Sequence, residues 1–328
     1  MAIHVQFDTL GGPEVLTLRE VEVGEPGVGE LRIRVEAIGL NRAEVMFRRG
    51  RYLYQPNLPS GLGYEAAGVV EAVGADAGDF AVGDTVGVVP AFDLNDYGTY
   101  GDHVLVPAAA TVHRPAEIDP VTSAAVWMAY VTSYGGFVAD GGVRPGDAVL
   151  IAAATGGVGL AAIQVANRIG AVSIATTRSR DKRQRLLDAG AAHVIVTDEE
   201  DLVERVKEIT GGRGVRTAFD PIGGPGAATI AATVAPGGAL VIYGMLDPRP
   251  VPDLRSFPEL NVGSFLITDA AKDPAWLRRA VTFVNDGLTA GAFTPVIDRT
   301  FDLTEIVEAH RHMESSTQVG KIVVTVRH

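Results

Sequence analysis

The stretch "AVLIAAATGGVGLAAIQVA", residues 148–166, constrains the fold of this 328-residue chain more than any other. It carries no charge over a length that could span a bilayer. The pair Gly156-Gly157 interrupts it, however, with β-favouring residues before and helix formers after. That change of propensity predicts a buried strand, a tight turn and a buried helix. In "TGGVGLAA" the residues Gly157, Gly159 and Ala162 stand at Gly-x-Gly-x-x-Ala spacing. Two glycines let a turn close and the backbone approach a pyrophosphate, and a small third residue lets the helix pack on its strand. The helix N-terminus adds free N–H groups and a partial positive charge. Thr155, Gly156, Gly157, Val158 and Gly159 are the phosphate-binding residues this pattern predicts.

The surroundings agree with such a unit. "SIATT" (173–177), "HVIVT" (193–197), "TAFDPIG" (217–223) and "ALVIYG" (239–244) read as further strands. Helical stretches such as "LAAIQVANRIG", "RDKRQRLLDAG" and "DLVERVKEITGG" lie between the first of them, ending at Gly as helix C-termini tend to. Alternating β and α units predict a parallel sheet covered on both faces. The apolar "NVGSFLIT" (261–268) is a candidate sixth, edge strand. The first third is different. In "LRIRVEAIG", Leu31, Ile33, Val35 and Ala37 alternate with polar residues, the period-2 mark of a strand with one buried face. "AAGVVEAVG" and "AVGDTVGVV" are further short strands with Gly-Asp turn chemistry. The tail adds a helix with Asp273 at its N-cap, Pro274 at the first position and Gly287 expected past its end. A second helix opens with Asp302 and Glu305 in capping-box spacing, and "KIVVTV" closes as a strand expected to return to the N-terminal region.

The end of the second strand selects the dinucleotide. A site for NAD usually has Asp or Glu there to bind the ribose 2′-OH. Here "ATTRSRDKRQR" puts Thr177 in that place, followed by Arg178, Ser179, Arg180 and Lys182. No carboxylate stands there to repel a 2′-phosphate, so the expected cofactor is NADPH, held by Thr177, Arg178, Ser179 and Lys182; Arg183 and Arg185 read as a solvated helix face. Gly244, after "ALVIY", lies at the carboxyl end of a strand, where ligands sit in such sheets.

Composition removes several classes of function. There is no Cys, which excludes disulfides, thiolate zinc clusters and cysteine nucleophiles together. A formal charge of −12 argues against nucleic acid or an anionic membrane as a general partner. The opening "MAIHVQFDTLGGPEVL" lacks a basic region followed by an apolar core, so a cytoplasmic location is the default expectation.

"GGPEVL", "AIGLNRAEVMFRRGRY", "LGYEAAGVVEAVG", "GGVGLAAIQVA" and "VGKIVVTV" together resemble the medium-chain dehydrogenase/reductase superfamily, and within it the zinc-free quinone oxidoreductase branch. The resemblance covers essentially the whole chain. It implies an α/β protein: a GroES-like β-rich catalytic domain, 1–124 and 269–328, and a Rossmann doubly wound parallel-sheet domain, 125–268. Laid onto this sequence, the Cys, His and Cys that hold catalytic zinc in other branches fall at Asn41, Tyr64 and near Met128. The four-Cys structural loop is missing as well, and His310 and His312 lie two apart on a predicted helix and point to different faces. No metal site is expected.

Without a Lewis acid, reversible alcohol oxidation loses its means of stabilising the alkoxide. Reduction of a quinone or an activated C=C asks only for hydrogen-bond donors and a proton at the developing oxygen. The resemblance points to Asn41 as a donor to the substrate carbonyl or nicotinamide ribose, and to Tyr52 as a donor or aromatic wall. Arg48 would help hold this loop, and Met46 stands where the branch commonly has a Tyr. Tyr64 is the candidate proton donor, or a filler of the former metal site. Thr132 matches a position that contacts the nicotinamide, Lys321 one near the cofactor phosphate, and relatives pair their sheet edge into a homodimer. The expected substrate is a small hydrophobic quinone or α,β-unsaturated carbonyl compound. An enoyl-thioester substrate, met by Arg42, Arg49 and Arg51, and an NADPH-binding sensor without turnover are the alternatives.

Overall fold

The computed structural model describes residues 1–139, 141–257 and 259–328. The chain divides into two compact units, one of residues 1–128, 271–281 and 295–328, the other of residues 129–270 and 282–294.

The second unit is built on a six-stranded parallel sheet. Its strands lie in the order His193–Val196, Val172–Thr177, Ala148–Ile151, Val215–Asp220, Val234–Ile242 and Asn261–Ser264. Chain order therefore reverses between Ala148–Ile151 and Val215–Asp220, and ligands bind at the carboxyl ends of strands beside such a switch. Leu150, Ile174, Ile195, Ala218 and Leu240, one from each of five strands, are buried with Val206 and Ile230 of the covering helices. The strand expected over 148–154 stops at Ile151. Ala153 turns out of it in the left-handed region, at φ 47°, while Ala152 N–H still donates to Phe219 and Ala154 N–H to Thr176. The candidate sixth strand is the exposed edge of the sheet.

The helix Gly157–Ile169 follows this turn and ends at Gly170 in the left-handed conformation. The helix Pro274–Thr289 differs from its expected end. Gly287 lies inside it, because the Phe293 ring packs where a side chain would be: a Cβ there would stand 2.1 Å from the ring. Gly291, at φ 68°, lies beyond the end of the helix.

In the first unit the strand Glu30–Gly39 is central. It pairs antiparallel with Glu65–Val73, His103–Pro107 and Lys321–Thr325. Leu31, Ile33, Val35 and Ala37 are fully buried, as their alternation requires. Ile297–Asp302 lies parallel to the last strand, and Thr85–Val88 and Thr111–His113 extend the other side. The capping box of Asp302 and Glu305 forms, through a tight first turn, and leads into the helix Ile306–Glu314. Among the described residues no helix is long and apolar enough to cross a membrane.

Candidate active site

Gly63, Tyr64 and Glu65 end a loop and begin the strand Glu65–Val73. Gly63 is at φ 111°, and a Cβ on it would meet the Tyr100 ring at 2.3 Å, so only glycine admits this close approach. Both Tyr64 and Glu65 are fully buried. The Glu65 carboxylate accepts from Lys321 Nζ, from Asn41 Nδ2 at 3.1 Å and from Met128 N–H at 2.9 Å.

A second buried carboxylate, Glu44, sits in the short helix Arg42–Arg48 that Asn41 caps. It accepts from Asn41 N–H, from Asn41 Nδ2 at 3.2 Å, from Tyr64 N–H at 3.2 Å and from Tyr100 Oη at 3.3 Å. Burial raises Glu44 to about 7, although the Lys321 ammonium acts in the opposite direction. Tyr100 Oη also meets Nε2 of His310 at 3.2 Å. Burial pushes His310 down to about 3, with Arg48 adding repulsion. The positions 41, 64 and 128, where other branches hold zinc, are thus tied through N–H groups to Glu44 and Glu65. Lys321 is the cation of the cluster, and among the described residues no group of three or more His, Asp or Glu side chains could hold a metal ion.

Two of the expected site residues are held by one another and by buried carboxylates. Asn41 accepts from Lys321 Nζ and turns its amide donors to Gly39 O, Glu44 and Glu65. Lys321 is only 5% exposed, and its ammonium is directed at Glu65 and Asn41.

Above this cluster three tyrosine hydroxyls meet. Tyr54 Oη lies 2.8 Å from Tyr64 Oη, Tyr64 Oη donates to Tyr52 Oη at 3.2 Å, and Leu94 N–H donates to Tyr54 Oη at 2.9 Å. The rings of Tyr52 and Tyr54 are 5.3 Å apart, and Phe47 and Phe92 pack at the sides. Burial raises Tyr52 to about 12 and drives Tyr64 far higher. The Tyr64 hydroxyl, expected to face the reaction, is enclosed by the other two hydroxyls; Tyr52 and Tyr54 are both half-buried. Tyr54 was not foreseen, although in "YLY" residues two apart along an extended segment project to one side. Arg48 does hold this loop's helix, donating to Gly11 O at 2.8 Å and to Glu314. Arg49 also pairs with Glu314, Arg42 donates to Ser316 Oγ at 2.7 Å, and Arg51 is exposed.

The second unit supplies the nucleotide features. Gly156 caps the helix Gly157–Ile169 and has no side chain to accept from it, so the first N–H groups are left for an external anion. Next to Gly156 the nearest atom to an added Cβ is 4.0 Å away, whereas a Cβ on Gly159 would lie 2.5 Å from Ala154 Cα. The loop is open on one face and tightly packed on the other, as a pyrophosphate cradle requires. At the end of the strand Val172–Thr177, Thr177 Oγ1 accepts from Ser179 N–H at 3.2 Å. Arg178 is exposed and has no partner among the described residues, while Arg180 is bound to Glu199. Asp220 is buried, its carboxyl raised by burial, and accepts from Ile222 N–H at 2.8 Å and Gly223 N–H at 3.1 Å. Gly244 passes so close to Pro221 that a Cβ would stand 2.5 Å from its carbonyl oxygen. Thr132, in the helix Trp127–Tyr134, is 4% exposed.

Two family models match the chain: an alcohol dehydrogenase GroES-like domain over residues 27–116 and a zinc-binding dehydrogenase over residues 157–273. The chain is 34% identical to a quinone oxidoreductase of Pseudomonas aeruginosa, over 99% of each chain. It is 32% identical to a 2-haloacrylate reductase of a Burkholderia species, over 96% of each. A solved quinone oxidoreductase of Escherichia coli complexed with NADPH superposes with a TM-score of 0.90, at 30% identity, over 99% of this chain and 100% of that one.

Proposed function

The chain belongs to the quinone oxidoreductase branch of the medium-chain dehydrogenase/reductase superfamily, as an oxidoreductase with NADPH for its cofactor, and from this we propose that it reduces a quinone or an activated C=C without a metal. The observation that carries this reading is the fate of the three zinc-ligand positions. Asn41, Tyr64 and Met128 all turn N–H groups to buried carboxylates, and the only cation among them is the ammonium of Lys321. Such a site has no Lewis acid to hold an alkoxide, but a milder reduction needs only a positioned proton donor.

NADPH, when bound, supplies a hydride for the β-carbon of an enone or for a quinone. Thr155 to Gly159 and the first N–H groups of the following helix would hold its pyrophosphate, and Arg178, Ser179 and Lys182 its 2′-phosphate. Tyr52 is the group of the hydroxyl cluster left to meet the developing oxygen, and Tyr64 supports it from behind. Arg42 and Arg49 are engaged with Ser316 and Glu314, which weakens the case for a basic mouth that receives a phosphopantetheine arm. The exposed edge strand Asn261–Ser264 is the surface on which a second copy would extend the sheet into a homodimer.

A panel of quinones, enones, a crotonyl thioester and simple alcohols, followed by NADPH absorbance with and without a chelator, tests the reading. Turnover of the first two classes, insensitive to the chelator, is expected. Activity that disappears with the chelator and returns with zinc would overturn the metal-free mechanism. Tight NADPH binding with no oxidation across the panel would make the chain a sensor, and sedimentation as a monomer alone would remove the dimer.

A further inference from the structure

We propose that Tyr54 and Tyr64 are positioning residues that form a one-way hydroxyl chain ending on Tyr52, which aims the Tyr52 phenolic proton outward at the substrate oxygen. The inference rests on the proposed reduction and adds to it two residues that act through a third.

Each tyrosine hydroxyl has one proton to give. The angles at the 3.2 Å contact suit Tyr64 as donor and Tyr52 as acceptor. With its proton given to Tyr52, Tyr64 must accept at the 2.8 Å contact, so Tyr54 donates there. Tyr54 in turn accepts from Leu94 N–H, whose donor sense is fixed because a backbone amide cannot accept. The order Leu94 to Tyr54 to Tyr64 to Tyr52 follows. Among the described residues Asp93 is the group that competes with Tyr64 for the Tyr54 proton: it lies within hydrogen-bond reach of that hydroxyl, while one of its carboxylate oxygens accepts from Asn95 N–H at 2.8 Å. If Tyr54 gave its proton to Asp93, the buried Tyr64 oxygen would lose its donor, a loss that a fully enclosed group makes expensive.

The chain is also anchored. Asn95 accepts from Asn57 N–H at 2.7 Å and donates to Gln55 O at 3.0 Å, which fastens the chain at two points just after Tyr54. Tyr52, half-buried as Tyr54 is, is left as the end of the chain because it has no acceptor for its own proton among the described residues. A hydroxyl that already accepts a hydrogen bond holds negative charge better after it donates, so Tyr64 makes Tyr52 the stronger acid.

The test is a double-mutant cycle on kcat, read in water and in deuterium oxide with NADPH and a quinone or enone that the wild type reduces. Tyr64→Phe should lower kcat by about tenfold and Tyr54→Phe by a few-fold, the worth of one hydrogen bond, with KM for NADPH unchanged. Both should enlarge the solvent isotope effect, since proton transfer becomes slower. In a Tyr52→Phe background neither substitution should cost anything further. Asp93→Asn should leave the rate as it is. Additive losses, an unmoved isotope effect, or a fall in rate with Asp93→Asn would each overturn the chain, the last because it would show that the protons run the other way. A wild type that turns over no substrate sinks the reduction itself and this inference with it.

Discussion

The ammonium of Lys321 and the carboxylate of Glu65 form an ion pair with 5% and 0% of their side chains exposed, joining the last strand to the start of Glu65–Val73. Removing one partner of a buried pair leaves the other charge without solvation. Lys321→Met should therefore cost about 3–5 kcal/mol in urea unfolding, and Glu65→Gln in the same chain should recover part of it. NADPH affinity of the folded variant should stay within about threefold, an amount too small for a lost phosphate contact. Normal stability with weakened NADPH binding would return Lys321 to the cofactor.

Glu44 and His310 face Tyr100 from two sides and titrate in opposite senses. Glu44 is raised from 4.5 to about 7 in the fold, so its contribution is fully present below pH 4.5 and is lost as the pH rises to about 7. That loss is roughly 3 kcal/mol at 1.36 kcal/mol per pH unit. His310 is depressed from 6.5 to about 3, so its contribution is present above pH 6.5 and is lost as the pH falls to about 3. Between pH 4.5 and 6.5 the two oppose each other. Relative to the wild type, Glu44→Gln should gain stability with rising pH over 4.5–7, and His310→Gln should lose it over 3–6.5. Unfolding curves at several pH values decide, and parallel profiles in all three proteins would refute the assignment.

Much of this arrangement was written in local patterns and some of it was not. The alternation of Leu31 to Ala37, the βα series and the Gly157-x-Gly159 turn depend on residues close in sequence, and each formed the element it predicted. The pairing of Asn41 with Lys321 joins residues 280 apart, and nothing local distinguishes such a lysine from one that binds phosphate. Gly287 differs for another reason: its lack of a side chain makes room for the Phe293 ring, which folds back on it from the loop after the helix, and a glycine near a helix end looks the same in either role. Tyr64 is a single residue in a local motif, and only the positions of Tyr52 and Tyr54, brought to it by the fold, reveal that its hydroxyl is enclosed.

The turn before the phosphate cradle contains a removable strain. Ala153 holds φ 47°, a conformation that costs an L-residue roughly 1–2 kcal/mol and glycine almost nothing. Ala153→Gly should stabilise the chain by about 0.5 kcal/mol after the greater freedom of its unfolded state is allowed for. Gly159→Ala should act the other way, since its Cβ would press on Ala154 backbone 2.5 Å away and displace the helix start. A loss of NADPH affinity of at least about tenfold is expected there, by calorimetric titration. Equal affinity in that variant would mean the cradle does not lie at this turn.

The choice between NADPH and NADH depends on which arginine is free. Arg180 already gives its guanidinium to Glu199 through two nitrogens, whereas Arg178 is exposed with no partner among the described residues. A charge-assisted contact to a phosphate is worth about 1.5–3 kcal/mol, or roughly tenfold to a hundredfold in affinity. Arg178→Ala should raise the KM for NADPH by that factor and leave the KM for NADH alone, so that the preference shrinks because one cofactor is held less well. Arg180→Ala should do much less. The 2′-phosphate contact should also weaken as salt rises, because the site is exposed and screening acts over about 10 Å at 0.1 M. If Arg180→Ala instead reproduces the whole effect, the arginine that reads the phosphate is the one now paired with Glu199, and that pair must open on binding.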